Sequence, residues 1–277
     1  MRYIGLALVL ASVAGSGCAQ MGSGGTAGEA ASLSRAPAEG YASDIVKGKR
    51  PTIIAHRGMH HVLPENSVEA MVAAWKAGIE WCECDVYLSS DGVAVLMHDA
   101  TLDRTTEAKG EIAKRSWAEL KQIRLKNANG SLSKYRIPSL EQALAAMPEG
   151  CAMLIELKTS DNEPLVRETL RLAEGRKCVI QSFDAANVRH AMRLGKLPVA
   201  YLAGKPETLE IALAGEWPAI NISHDLLTPE VARRAREQGK SLGVWTVNEP
   251  EDLRRVLSVG TERIITDYPK WMREAMR

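Results

Sequence analysis

Along most of the chain, short runs of β-branched and apolar residues alternate with segments whose apolar positions recur every three or four residues. The first pattern predicts strands over 52–56, 81–87, 93–98, 152–158, 178–183, 199–203, 219–223, 241–247 and 263–266. The second predicts helices over 67–77, 139–146, 163–174, 185–194, 206–214, 229–238 and 250–258. Strand-then-helix alternation on this scale argues for a parallel sheet covered by helices. Nine strands are one too many for a closed (β/α)8 TIM barrel. Only the five residues 88–92 join the second strand to the third, whereas a parallel crossover needs about a dozen. Those two strands are therefore a hairpin, with 93–98 outside the barrel and eight staves left. The polar stretch 100–135, with one short helical pattern near Trp117, then reads as an insertion on the barrel rim.

The pattern fails at the N-terminus. Arg2, the apolar run YIGLALVLASVA and the small residues before Cys18 read as an export signal over 1–21, too short to span a membrane. Cys18 stands where a bacterial lipoprotein is lipidated and cleaved. Gly15 occupies a position where that motif usually has a larger apolar residue, so plain cleavage near Ala19 is the competing reading. Residues 22–48 are rich in Gly, Ala and Ser and too poor in large apolar side chains to offset their ordering entropy, so they read as a tether. The barrel domain is expected over 49–277. These features place the protein outside the cytoplasm, in the periplasm or cell envelope.

Composition narrows the chemistry only a little. The 277 residues carry a formal net charge of +1, so nothing in the bulk charge points to nucleic acid, and any anion has to be gripped locally. Four cysteines follow the signal: Cys82, Cys84, Cys151 and Cys178. No second Cys or His pair stands at zinc-ribbon spacing, so buried free thiols are expected.

The stretch WCECDVY, 81–87, sets two carboxylates inside a predicted stave. Side chains alternate along a strand, so Glu83 and Asp85 face the barrel mouth while Cys82 and Cys84 pack under the helices. Two carboxylates that close repel one another unless a cation lies between them. Glu156, at the end of the next stave, offers a third oxygen donor. Three hard carboxylates favour Mg²⁺, Ca²⁺ or Mn²⁺ over zinc. The competing reading is a salt-bridge network of Glu83 and Glu156 with Arg57 and Lys158. Trp245 reads either as an apolar wall for a ligand or as core. Glu65 is either an orienter of Arg57 or His56 or a carboxylate at a helix N-terminus. His60, His61, His190 and His224 carry no role that the sequence assigns, although His224 follows a stave and lies near the mouth.

Singly these motifs are weak, but their order is specific: HRG (56–58), PEN (64–66), E-x-D (83–85), HD (98–99) followed by LDRTT, IELK (155–158), QSF (181–183), WTVN (245–248) and ITDYP (265–269). With them the chain resembles the glycerophosphodiester phosphodiesterase family over about 220 residues. The resemblance implies a metal-dependent phosphodiesterase on a (β/α)8 barrel, releasing glycerol 3-phosphate and an alcohol from deacylated phospholipids. It implies that Glu83, Asp85 and Glu156 hold a divalent ion such as Mg²⁺ or Ca²⁺, that His56 and His98 are catalytic, and that Arg57 and Lys158 contact phosphate, with Glu65 and Asn66 behind them. The reading of the residues alone reaches the carboxylates but not His98. Residues 260–263 read Gly-Thr-Glu-Arg where the family usually has GVDG, away from the proposed chemistry. Two alternatives stand beside this: a phospholipase D-like barrel acting on intact lipids, which wants an apolar rim that 100–135 lacks apart from Trp117 and Tyr135, and a non-catalytic phosphodiester-binding envelope protein, from which a histidine or carboxylate should be missing.

Replacing Cys18 with Ser is expected to move the protein from the membrane fraction to the soluble fraction while leaving the barrel active. Fractionation of both forms checks this, and a wild-type protein already free of the membrane fraction favours simple cleavage.

Overall fold

The computed structural model describes residues 50–277; the expected signal and tether lie outside the described residues. Strand β1 (Thr52–Ala55) is followed by α1 (Val68–Lys76), β2 (Trp81–Leu88) and β3 (Ala94–Leu96). A rim segment then carries a 3-10 turn (Ile112–Lys114), α2 (Trp117–Leu120), β4 (Arg124–Lys126) and β5 (Leu132–Arg136). From there the strand-then-helix rhythm is regular: α3 (Leu140–Ala146), β6 (Ala152–Leu157), α4 (Glu163–Ala173), β7 (Cys178–Ser182), α5 (Ala185–Leu194), β8 (Val199–Ala203) and α6 (Pro206–Ala214). It continues through β9 (Ala219–Ser223), α7 (Pro229–Glu237), β10 (Ser241–Trp245), α8 (Pro250–Val259), β11 (Arg263–Thr266) and α9 (Pro269–Ala275).

The staves run β1-β11-β10-β9-β8-β7-β6-β2, and β1 pairs with β2 to close a parallel (β/α)8 barrel. As the short 88–92 connection requires, β3 pairs antiparallel to β2, with Val86 opposite Leu96. Helix starts follow local chemistry. Ser67, Ser139, Asn162, Asp184 and Thr228 each accept a backbone N–H of the first turn. Pro206, Pro229, Pro250 and Pro269 open helices where a missing N–H is harmless. The helix α9 was not foreseen in the sequence.

Strand alternation divides the interior. Even positions of β2, Cys82, Cys84 and Val86, join a core between the staves and helices that also contains Met71, Met153 and Ile155. Odd positions point inward, where Ile54, Leu154 and Ile265 fill the barrel axis. The rim has a separate apolar cluster of Tyr87, Val95, Met97, Leu102, Ile112, Leu120, Ile123, Leu125 and Ile137. Its β4–β5 hairpin was missed in the sequence, where 124–136 looks merely polar. No helix among the described residues is long and apolar enough to cross a membrane.

All four described cysteines are free thiols, and Cys82 and Cys84 are fully buried, with the Cys82 thiol directed at the Met71 carbonyl of α1. Replacing both with Ala should lower stability by about 1 kcal/mol per thiol and leave divalent-ion affinity unchanged. Denaturant midpoints and ion titrations read the two effects separately; loss of the ion would contradict the assignment of strand faces.

Candidate active site

The C-terminal ends of the staves gather the polar residues. Glu83 and Asp85 project inward from β2 beside Glu156 of β6, and register places Asp85 directly opposite Glu156. One carboxylate oxygen from each of the three lies within 4.8 Å of the others, and all three residues are buried. Glu83 Oε1 accepts no hydrogen bond among the described residues, and Asp85 Oδ1 has only an ion-pair contact with Lys158. Burial and the neighbouring charges of Asp85 and Glu156 push the Glu83 carboxyl well above its usual range. Burial and Asp85 raise Glu156 to about 7, partly opposed by Lys158. Asp85 goes the other way: burial pushes it up, but Arg57 and Lys158 outweigh that and hold it below its ordinary value.

The cations are held by the same group. Arg57 Nε is 3.2 Å from Asp85 Oδ2, and its backbone N–H donates to Glu83 Oε2 at 3.1 Å. Lys158 Nζ lies 2.7 Å from Glu156 Oε1 and 3.4 Å from Asp85 Oδ1. A salt-bridge network surrounds the cluster, while Glu83 Oε1 accepts no hydrogen bond and Asp85 Oδ1 has only the Lys158 ammonium at 3.4 Å. Orphaned buried carboxylate oxygens are costly, and an all-oxygen set of this kind suits a hard divalent cation. The site fits Mg²⁺, Ca²⁺ or Mn²⁺.

Backbone geometry supports this arrangement. Arg57 and Asn66 adopt positive φ, 53° and 56°, conformations that side chains beyond glycine seldom take without local compensation. Asn66 compensates by donating its amide to Asp85 Oδ2 at 2.8 Å and accepting the Asp85 backbone N–H at 3.0 Å. Gly58 lets the loop lie against α1, since a Cβ there would meet the Ala70 carbonyl carbon at 2.6 Å.

The two histidines arrive by different routes. His56 follows β1, and its Nδ1 is 2.5 Å from Asp267 Oδ1, just beyond β11. His98 comes from the hairpin: β3 runs back along β2, the Met97 N–H reaches the Asp85 carbonyl, and His98 follows at the level of the mouth. Its Nδ1 is 2.7 Å from Asp99 Oδ1. Burial holds the His98 imidazole below its ordinary value, with Asp85 opposing the shift. Asp99 itself falls to about 2 through its hydrogen bonds with Arg104 and His98. Arg104 bridges Asp99 to both oxygens of Glu65, and Glu65 also meets Arg57 at 3.1 Å. Glu65 therefore orients Arg57 and not His56.

Trp245 is only partly buried. Its indole N–H donates to the Asn221 carbonyl, and its ring meets Phe183 edge-on at 5.6 Å, an apolar side to the mouth. His224 is drawn to α8 instead, 3.2 Å from Asp252 and 2.9 Å from Arg255, while His190 pairs with Asp161. Asp267 and Arg104 were not singled out as site residues in the sequence. The signal for Asp267 was its place directly after a stave, in ITDYP. At the opposite end of the barrel a cavity of about 850 Å³, lined by Ile54, Leu154, Val179 and Arg263 among others, holds no comparable cluster of acids and histidines.

Comparison with known proteins agrees with this geometry. Residues 56–271 match the model of the glycerophosphoryl diester phosphodiesterase family. A glycerophosphodiester phosphodiesterase of Caldanaerobacter subterraneus is 28% identical over 236 residues, covering 81% of this chain and 97% of that protein. The structure of an Oleispira antarctica phosphodiesterase in complex with the product sn-glycerol-3-phosphate superposes with a TM-score of 0.72 at 25% identity, covering 82% of this chain and 96% of the other. A glycerophosphodiester phosphodiesterase from Parabacteroides distasonis gives 0.69 at 25% identity, covering 83% and 98%. With its barrel, its three clustered acids and a family match running from His56 to Trp271, the chain belongs to the glycerophosphoryl diester phosphodiesterase family.

Proposed function

We propose that the protein hydrolyses glycerophosphodiesters to sn-glycerol 3-phosphate and an alcohol, using a divalent ion and two histidines. The observation that carries this is the convergence of Glu83, Asp85 and Glu156 with Arg57, Lys158 and both histidine loops at one end of the barrel. Glu83, Asp85 and Glu156 would hold Mg²⁺ or Ca²⁺. When bound, the ion supplies positive charge to the non-bridging phosphate oxygens.

Arg57 and Lys158 bring further positive charge to the phosphate, lowering the repulsion that shields the diester from attack. One histidine takes the proton of the attacking hydroxyl, the phosphorus–oxygen bond to the alcohol breaks, and the other histidine protonates the departing oxygen. In this reading the glycerol 2-hydroxyl attacks first, and water then opens the cyclic phosphate with the two histidines exchanging roles. Asp267 and Asp99 each engage Nδ1 of a histidine, which leaves Nε2 for the substrate. Trp245 and Phe183 offer the glycerol an apolar side. The exposed large apolar side chains Val62, Leu132, Phe183, Met192 and Ile211 fall on separate elements, which favours a deacylated diester over an intact lipid. The export reading of 1–21 places the activity in the periplasm or envelope, with Cys18 as a membrane tether if it is lipidated.

Chelation should abolish glycerol 3-phosphate release from a panel of glycerophosphodiesters, and Mg²⁺ or Ca²⁺ should restore it. Full turnover by verified metal-free protein would overturn the metal reading.

In metal-free protein, Glu83→Gln should raise the melting temperature at pH 8, because it removes a carboxyl whose charged form is disfavoured by burial and by Asp85 and Glu156. A carboxyl raised in the folded state favours folding fully below its unfolded value, and that stability is lost as pH rises through the folded value. The gain from Gln should therefore shrink in acid. Scanning calorimetry from pH 5 to 8 reads it.

His56→Ala and His98→Ala should each lose roughly 10²-fold or more on glycerophosphocholine. A nitrophenolate leaves without a proton, so the variant that lost the acid should recover on a nitrophenyl diester. We expect recovery for His98→Ala, because its hairpin reaches over the mouth and a bound phosphate anion opposes the lowering seen at His98. Equal losses on both substrates would point to positioning instead of acid–base transfer.

A further inference from the structure

A second group of ligand atoms stands in the same mouth. His56, His60 and Asp267 each present one atom within 4.8 Å of the others. His56 Nδ1 and His60 Nε2 converge on a single oxygen, Asp267 Oδ1, at 2.5 and 2.9 Å. The other oxygen, Oδ2, accepts the Asn248 amide at 2.7 Å, and the Asp267 N–H donates to Asn248 Oδ1 at 3.0 Å. The carboxylate is thus fixed from behind, with Oδ1 left to the imidazoles. All three side chains are about one-fifth exposed, so a solute ion can reach them.

Two imidazole nitrogens and a carboxylate oxygen are the donors of catalytic zinc centres that keep one position open. The set differs in kind from the all-oxygen cluster of Glu83, Asp85 and Glu156: imidazole selects zinc and its neighbours, carboxylates alone select Mg²⁺ and Ca²⁺. Zinc bonds of about 2.0–2.2 Å require only that Asp267 draw back slightly from the two rings. The Asn248 hydrogen bonds supply the outer support that metal-binding carboxylates usually have.

We propose that His56, His60 and Asp267 form a second metal site, selective for Zn²⁺ or a similar borderline cation, and that filling it stops turnover. To bind, each nitrogen facing Asp267 must offer its lone pair, so any proton there shifts to the other ring nitrogen or leaves. In His56 that puts the proton on Nε2, which then cannot accept one from substrate. Asp267 is withdrawn at the same time. The inhibitory half of this proposal rests on the reading of His56 as an acid–base group; the binding half does not.

The test keeps the carboxylate cluster filled with saturating Mg²⁺ and titrates Zn²⁺ by equilibrium dialysis, with Co²⁺ as a visible-absorbance probe. Wild type, His60→Gln and a remote histidine control, His190→Gln, are compared. We expect one equivalent in wild type and in the control. Loss of a direct ligand in His60→Gln should weaken binding at least as much as the roughly 10–100-fold that loss of an outer support costs. Zn²⁺ should inhibit wild type and spare His60→Gln, each measured against its own turnover with Mg²⁺ alone. Equal zinc binding and equal inhibition in His60→Gln would overturn the proposal and place the ion among the acids. Binding that depends on His60 without inhibition would leave the site standing and overturn both its inhibitory role and the acid–base role of His56. If His60→Gln is inactive, the dialysis still decides the binding half.

Discussion

Three acidic side chains forced into one buried mouth repel each other, and much of the surrounding structure answers that repulsion. Like charges at this spacing in a medium less polarisable than water interact far more strongly than on a surface. Arg57 and Lys158 each reach Asp85, which is why Asp85 stays ionised while Glu83 and Glu156 are pushed up. The positive φ at Arg57 and Asn66 belongs to the same compensation: both residues are held out of ordinary backbone conformations by contacts with Glu83 and Asp85. Strain in the loop and charge in the barrel offset one another, and a divalent ion would complete the balance.

That constraint explains which parts of the site were legible beforehand. Alternation along WCECDVY separates thiols from carboxylates without any knowledge of the partners, because strand geometry fixes the faces. The hairpin was legible because five residues cannot carry a parallel crossover. The partners of His56 were not. Asp267 lies 211 positions away, and only closure of β1 on β11 brings the two together. Arg104 was hidden for a related reason: its bridge from Asp99 to Glu65 depends on how the rim folds back, and no local period announces it. The β4–β5 hairpin escaped notice because its exposed face is polar and its inward residues are few.

The bridge through Arg104 deserves weighing by magnitude. Arg104 is about half exposed, and ion pairs of that kind contribute little to folding stability. Its value lies in geometry. Glu65 touches Arg57 of the first loop, and Asp99 touches His98 of the hairpin, so one guanidinium spans the two loops that frame the mouth. A planar, multiply bonded group fixes relative orientation in a way that a lysine ammonium does not.

The rim carries its own apolar cluster, anchored on Tyr87 near the end of β2 and on Val95 of β3. Segments with a private core open and close as units, apart from global unfolding. Substitutions there can reshape the approach to the mouth while the closed barrel keeps the three acids and His56 in register. Residues 105–136 can thus vary at little cost to the acids below, whereas Arg104 cannot, a division of labour written into where the two cores part.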